Sequence, residues 1–175
     1  MRNARVVLLL CVVAAPRLAV AQGAATARLL ILQAEERRAM TPADLGVLRV
    51  NARSRNADTA RVAIRALGRL ERVSLIPVIL PGLGHSLPEV RIEAANALAQ
   101  AAQGVKVPVP VTANVVGTTQ AALITRLGVE ADASVRGAIC EALARLPYRT
   151  AAEAERAETA IVGVGARATA LGDRL

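Results

Sequence analysis

The side chains able to do chemistry are few, and their spacing draws them into no shared motif. His85 is the only histidine, set in Gly84-His85-Ser86. A general base or metal ligand there would need a nucleophile or a second ligand at motif spacing, and none stands near it, so His85 reads as a solvated turn residue. Cys140 lies three residues before a leucine, where related segments carry Ile64 and Ala95. It reads as a small buried hydrophobe rather than a thiolate nucleophile. Ser54, Ser74, Ser86 and Ser134 fall at expected helix ends and turns, and none sits in a G-x-S-x-G elbow. Gly163-Val164-Gly165 lacks the third spaced glycine and the preceding strand of a dinucleotide fingerprint, and reads as a linker that ends a helix. No catalytic residue, metal ligand or cofactor site is expected.

Charge offers a different chemistry. Seven arginines fall between residues 49 and 72 (Arg49, Arg53, Arg55, Arg61, Arg65, Arg69, Arg72) against Asp58 and Glu71, a local surplus of five. A face of this kind can hold DNA or RNA phosphates. Nucleic-acid binding is therefore a competing reading, though Tyr148 is the sole aromatic and leaves no base-stacking platform. Arginine also outnumbers lysine 21 to 1 along the whole chain, which points to compositional bias rather than to local selection.

The first residues, MRNARVVLLLCVVAAPRLAVAQ, have the parts of a secretory signal. Arg2 and Arg5 form a basic start, Val6 to Ala15 an apolar run, and Ala19-Val20-Ala21 an A-x-A cleavage site. Cleavage after Ala21 and export to the periplasm or medium are expected. The run holds ten residues, whereas a spanning helix needs about 20. Leu10 before Cys11 is not the small residue that lipid attachment requires, so no lipid anchor is expected. Without residues 1–21 the chain has 19 basic and 14 acidic residues, net +5 rather than +8. Cys140 is then the only thiol, so no internal disulfide can form. A second uncharged stretch, Val107 to Thr125, contains Pro108, Pro110, Asn114 and Gly117 and reads as a loop entering a helix, not as a membrane span.

The elements that would position these residues repeat. NADTARVAIRALGRL (56–70), LPEVRIEAANALAQA (87–101) and DASVRGAICEALARL (132–146) superpose on Leu67, Leu98 and Leu143, with spacings of 31 and 45 residues. Extra residues around GVKVPVPVTANVVG account for the longer spacing, and the period is that of a two-helix unit. Alanine precedes each leucine (Ala66, Ala97, Ala142), and Gly68, Ala99 or Ala144 follows it. Ala63, Ala94 and Ile139 four before, with Leu70, Ala101 and Leu146 three after, complete an apolar stripe. Asn56 and Asp132 are expected N-caps; Leu87 breaks that column, with Ser86 as the alternative. Asp58 and Glu89 put negative charge in the first turn, where unpaired N–H groups favour it.

Each such helix is preceded by a partner. Thr41-Pro42-Ala43-Asp44 opens one. Ser74 is expected to cap the second, SLIPVILPGLG, with a kink at Pro81. The third is expected to start near Thr118 or Thr119. Residues Ala24 to Ala39 read as an opening helix, and Thr150-x-x-Glu153 as a capping box opening the last.

VRIEAANALAQ and SVRGAICEALARL, with LIPVILPGL ahead of the former, resemble HEAT-type, armadillo-like repeats over about residues 41–147. The resemblance implies an all-α fold, an α-α superhelix of stacked antiparallel helix pairs. The expected organisation is a signal peptide (1–21), a repeat domain (22–162) with an insertion loop (104–117), and a C-terminal tail (163–175). The segment order from LLILQAEERRAM to ARLPYRTAAEAE also resembles the N-terminal part of exported bacterial HEAT proteins, some of which carry a cyclophilin-type peptidyl-prolyl isomerase domain. The 175 residues hold no aromatic-bearing β sequence of the kind that domain needs. Two before and two after each repeat leucine stand Arg65/Arg69, Asn96/Gln100 and Glu141/Arg145, away from the apolar stripe. Stacking would align them into a polar ladder. In HEAT-like solenoids second helices line the concave surface, so the resemblance makes this ladder the expected protein-binding face of a non-catalytic scaffold.

Overall fold

The computed structural model describes residues 22–104 and 110–171; residues 1–21, expected to be a signal peptide, the Val-Pro run 105–109 and the last residues 172–175 lie outside the described residues. The elements are α1 (22–36), α2 (Pro42–Asn51), α3 (Ala57–Arg69), a short α4 (Ile76–Ile79), α5 (Pro88–Ala102), α6 (Pro110–Val129), α7 (Ala133–Ala144) and α8 (Ala151–Leu171). No strand occurs among the described residues, so the architecture is an all-α helical repeat. No described helix is long and apolar enough to cross a membrane.

Side-chain caps start four of the helices where the sequence places them. Thr41 Oγ1 accepts from Asp44 N at 3.1 Å, Asn56 Oδ1 from Thr59 N at 2.9 Å, and Asp132 Oδ1 from Val135 N at 3.0 Å. The capping box of α8 is complete: Glu153 N donates to Thr150 Oγ1 and Thr150 N to Glu153 Oε2, both at 3.2 Å. At α5 the N-cap is Leu87, which has no side-chain bond to offer. Ser86 does not replace it; instead His85 Nδ1 accepts from Leu87 N at 3.1 Å. Ser74 likewise caps nothing. Pro77 and Pro81 divide the segment 73–84 into two 3₁₀ turns, Val73–Leu75 and Leu80–Gly84, around α4, as proline does when it removes ladder donors.

The second helices α3, α5 and α7 stack side by side, with α2, the segment 73–84 and α6 as their first-helix partners. The repeat columns meet in this stack. Leu67, Leu98 and Leu143 are fully buried, as are the alanines that precede them. Gly68 shows how close the helices come, since a Cβ built on it would lie 2.6 Å from Ala97 Cα. Only glycine permits that approach. Gly104, just past α5, is equally constrained, because its added Cβ would collide with the Glu71 carbonyl oxygen. α1 joins the same layer rather than the outer one. Its N-terminal residues Ala24 and Arg28 lie by Asn56 and Asp58 at the start of α3, while Glu35 near its end pairs with Arg69 near the end of α3. It therefore runs parallel to α3.

Two expectations are corrected. The third partner helix begins at Pro110, not at Thr118, so only the first part of 104–117 is left to a loop. A proline in the first turn costs a helix no hydrogen bond. Polar residues of the helix are buried with partners: Thr119 Oγ1 donates to Val115 O at 2.8 Å and Gln120 Nε2 to Glu153 O at 2.6 Å. Secondly, α8 continues through Gly163-Val164-Gly165 to Leu171, so the expected tail from 163 begins as helix. Val164 is buried, and that burial offsets the roughly 1 kcal/mol each helical glycine costs.

Three substitutions separate these contacts by thermal melting. Gly68→Ala should destabilise by about 1–3 kcal/mol through overpacking, and Leu98→Ala by about 2–5 kcal/mol through its cavity. Gly46→Ala, inside α2 with nothing within 4 Å of the new Cβ, should instead stabilise by about 0.5–1 kcal/mol. A Gly68→Ala protein as stable as the parent would contradict the close approach of α3 and α5.

Candidate functional site

Parallel stacking brings the expected ladder together, one polar tie per step between helices. Arg69 Nη1 donates to Glu35 Oε1 at 2.9 Å, joining α3 to α1. Arg65 donates from Nε and Nη2 to Glu93 Oε2 at 3.1 and 2.5 Å, joining α3 to α5. Arg145 Nη2 donates to Asn96 Oδ1 at 2.8 Å, joining α7 to α5. Glu93 is a residue the sequence reading missed.

Above these ties lies an open groove of about 510 Å³. Arg61, Arg65 and Arg69 line one side, successive turns of α3. Ile92, Asn96 and Gln100 of α5 line it next, again four apart, and Arg145 of α7 lies across from α3. Five of the six expected residues thus meet: Arg65, Arg69, Asn96, Gln100 and Arg145. Glu141 does not line the groove; it is exposed and gives its backbone carbonyl to Arg145 Nε at 3.3 Å. Arg61, Ile92 and also Glu89 enter the lining unforeseen. The signal was available, because each stands four residues before a residue already singled out or before Glu93, one turn up the same helix face.

Most of the arginine surplus is committed inside the protein. Arg72 donates to the carbonyls of Ala39 and Arg38 at the end of α1, and Arg61 reaches Asp58 at 3.5 Å. With Arg65 and Arg69 on carboxylates, four of the seven have protein acceptors. Arg49, Arg53 and Arg55 stay exposed at the end of α2 and the loop after it. The remaining candidate chemistry is structural. His85 caps α5. Cys140 is buried in the core, and that burial pushes its thiol pKa up, keeping it protonated. Tyr148 O–H donates to Leu143 O at 2.8 Å, closing the last turn of α7. Among the described residues no cluster of three or more His, Cys, Asp or Glu side chains is placed to hold a metal ion.

A second charged centre lies in the interior. Glu130, between α6 and α7, has a side chain only 1% exposed. Its Oε1 and Oε2 accept from Arg91 Nη2 and Nε at 2.8 Å. Arg126 donates to Oε2 from Nε and Nη2, at 2.8 and 2.6 Å, and Asp132 N donates to Oε1 at 3.0 Å. Burial alone would raise the carboxyl pKa; the Arg91, Asp132 and Arg126 donors outweigh it and hold the group at about 2. Just after α1, Arg37 bonded to Asp44 likewise holds that carboxyl below its usual range, against burial.

Arg91 does a second job that identifies the repeat. Its Nη1 donates to His85 O and Ser86 O, six and five residues back, both at 2.9 Å. Arg136 occupies the same column before Leu143, and its Nη1 donates to Glu130 O and Ala131 O, again six and five back. Independently, residues 47–111 match the family model of HEAT repeats. The chain carries HEAT-like repeats. The matched span covers α3, the proline-divided segment and α5. The HEAT-like pattern continues beyond it into α6 and α7, where the caps, buried leucine and arginine bonds recur. No curated protein and no solved structure matches the chain.

The Glu130 centre makes a pH-dependent prediction. Its folded pKa of about 2 lies below the ordinary 4.5. Its linkage contribution, of order 3 kcal/mol, is fully present above the unfolded value and is lost as pH falls through the folded one. Urea unfolding from neutral pH into acid should show stability falling below about pH 4.5. Glu130→Gln should flatten that fall and lower stability at neutral pH, because Arg91 is left buried without its counter-charge. An unchanged acid profile in Glu130→Gln would show that other carboxylates carry the dependence.

Proposed function

We propose that the protein is a non-catalytic, exported scaffold that holds a protein or peptide partner in the groove formed by α3, α5 and α7. The carrying observation is the groove itself. A repeat layer sets side by side Arg61, Asn96, Gln100 and Arg145, polar side chains with bonding capacity left over, along an open channel long enough for several partner residues. Asn96 Nδ2 and the whole Gln100 amide make no hydrogen bond among the described residues. A rigid surface with free amide donors and acceptors suits main-chain recognition, and HEAT repeats are scaffolds that typically mediate protein interaction. Export rests on the leader, with its basic start, ten-residue apolar run and Ala19-Val20-Ala21. Against the nucleic-acid reading stands the lack of a base-stacking platform, since Tyr148 is the sole aromatic and bonds to Leu143 O.

Two measurements test this reading. A photo-crosslinking residue at Gln100 should give discrete adducts with a partner in the producing cell, whereas the same residue at exposed Thr125, on α6, should give none. Equal labelling from both positions would place binding elsewhere. N-terminal sequencing of the exported protein should begin at Gln22, and an intact Met1 in the membrane fraction would overturn the processing step.

A further inference from the structure

The charges of the groove narrow the partner's chemistry. Four guanidinium groups line it against two carboxylates, Glu89 and Glu93. Glu93 is already engaged by Arg65. Arg145 has no carboxylate partner among the described residues: its bonds go to the neutral Asn96 amide and the Glu141 carbonyl. Arg61 is served little better, since its one ion pair is long at 3.5 Å and its Nε is buried with no hydrogen-bond partner. Arg65 and Arg69 each keep an unused N–H edge, because a guanidinium has five donors and these bonds use at most two of its three nitrogens.

Spacing adds a register. Arg61, Arg65 and Arg69 are one helical turn apart, so their side chains repeat every ~6 Å along α3. Alternate side chains of an extended peptide repeat every ~6.6 Å. A strand lying along the groove would therefore present every second side chain to the arginine row, while its main chain passes the free amides of Asn96 and Gln100. The geometry points to an acidic linear segment of a partner protein, with Asp or Glu at alternate positions, as the occupant of this groove. Carboxylates from the segment engage Arg61 and Arg145 by charge-assisted hydrogen bonds and share the outer edges of Arg65 and Arg69. This rests on the groove being the binding face.

Fluorescence anisotropy of the purified protein decides it, with three labelled peptides of alternating sequence: Glu-Ser, Gln-Ser and Lys-Ser. The Glu-Ser peptide should bind about tenfold or more tighter than Gln-Ser at low ionic strength, weaken as salt is added, and leave Lys-Ser unbound. The double variant Arg61→Gln/Arg145→Gln should lose that preference while melting like the parent, since neither arginine makes a short ion pair within the protein. Circular dichroism checks the melting. Binding of Gln-Ser equal to Glu-Ser would overturn the acidic preference and leave the groove as a peptide site. Failure of all three peptides would overturn this inference, with adduct formation at Gln100 still deciding whether a partner uses the face. A single-stranded oligonucleotide that binds more tightly than Glu-Ser and competes with it would show that the row serves phosphates, and would also overturn it.

Discussion

The contact on which the structure depends is the approach of α3 to α5 at Gly68 and Ala97, backbone against backbone. A chain with no Phe or Trp cannot fill wide gaps between helices. It reaches interior packing density by bringing the helices together, using alanine and glycine at the seam and leucine on either side of it. Ala66, Ala97 and Ala142 are fully buried for this reason. The same closeness sets the range of the ties above the seam, because Arg65, Arg69, Asn96 and Arg145, two before or two after a repeat leucine, come within bonding distance of the neighbouring helix. Arg65 with Glu93 and Arg145 with Asn96 are consequences of the apolar packing below them.

How legible this was depended on whether the cause was local or periodic. The columns through Leu67, Leu98 and Leu143 recur in the sequence, and the caps at Thr41, Asn56, Asp132 and Thr150 act within three residues, so both could be read directly. The start of α6 could not. Pro108, Pro110, Asn114 and Gly117 argue locally for a loop, whereas burial of Thr119 and Gln120, and a bond to Glu153 on α8, stabilise the helix. The same competition hid the helical path of α8 through Gly163 and Gly165. For the groove, reading one turn around each leucine found Arg65, Arg69, Asn96, Gln100 and Arg145, but stopped short of Arg61 and misplaced Glu141. For Glu130 only the Arg126 partner, four residues back, was within local reach; the Arg91 partner that buries it lies 39 residues away.

Arginine is used here largely as a backbone clamp. Arg38 donates to Arg69 O, Arg72 to Arg38 O and Ala39 O, Arg91 to His85 O and Ser86 O, and Arg136 to Glu130 O and Ala131 O. These carbonyls lie in or beside turns, where no helical N–H is available to them. A planar group with several fixed donors can satisfy two carbonyls at once, which a lysine ammonium on a flexible stem does less well. The strong excess of arginine over lysine, which in the sequence looks like mere bias, thus includes positions where the guanidinium shape is used.

The parallel order of α1, α3, α5 and α7 has an electrical consequence. Antiparallel neighbours cancel their peptide dipoles, but parallel ones add, so one edge of this layer gathers helix N-termini and the opposite edge gathers C-termini. Side by side, such dipoles repel, and the charges at the two edges oppose that repulsion. Asp58 and Glu89 stand in the first turns of α3 and α5, and Asp132 caps α7. Arg69 stands in the last turn of α3 and Arg145 caps the end of α7. The groove runs between these edges, so the helix dipoles and the edge charges together set the potential along it.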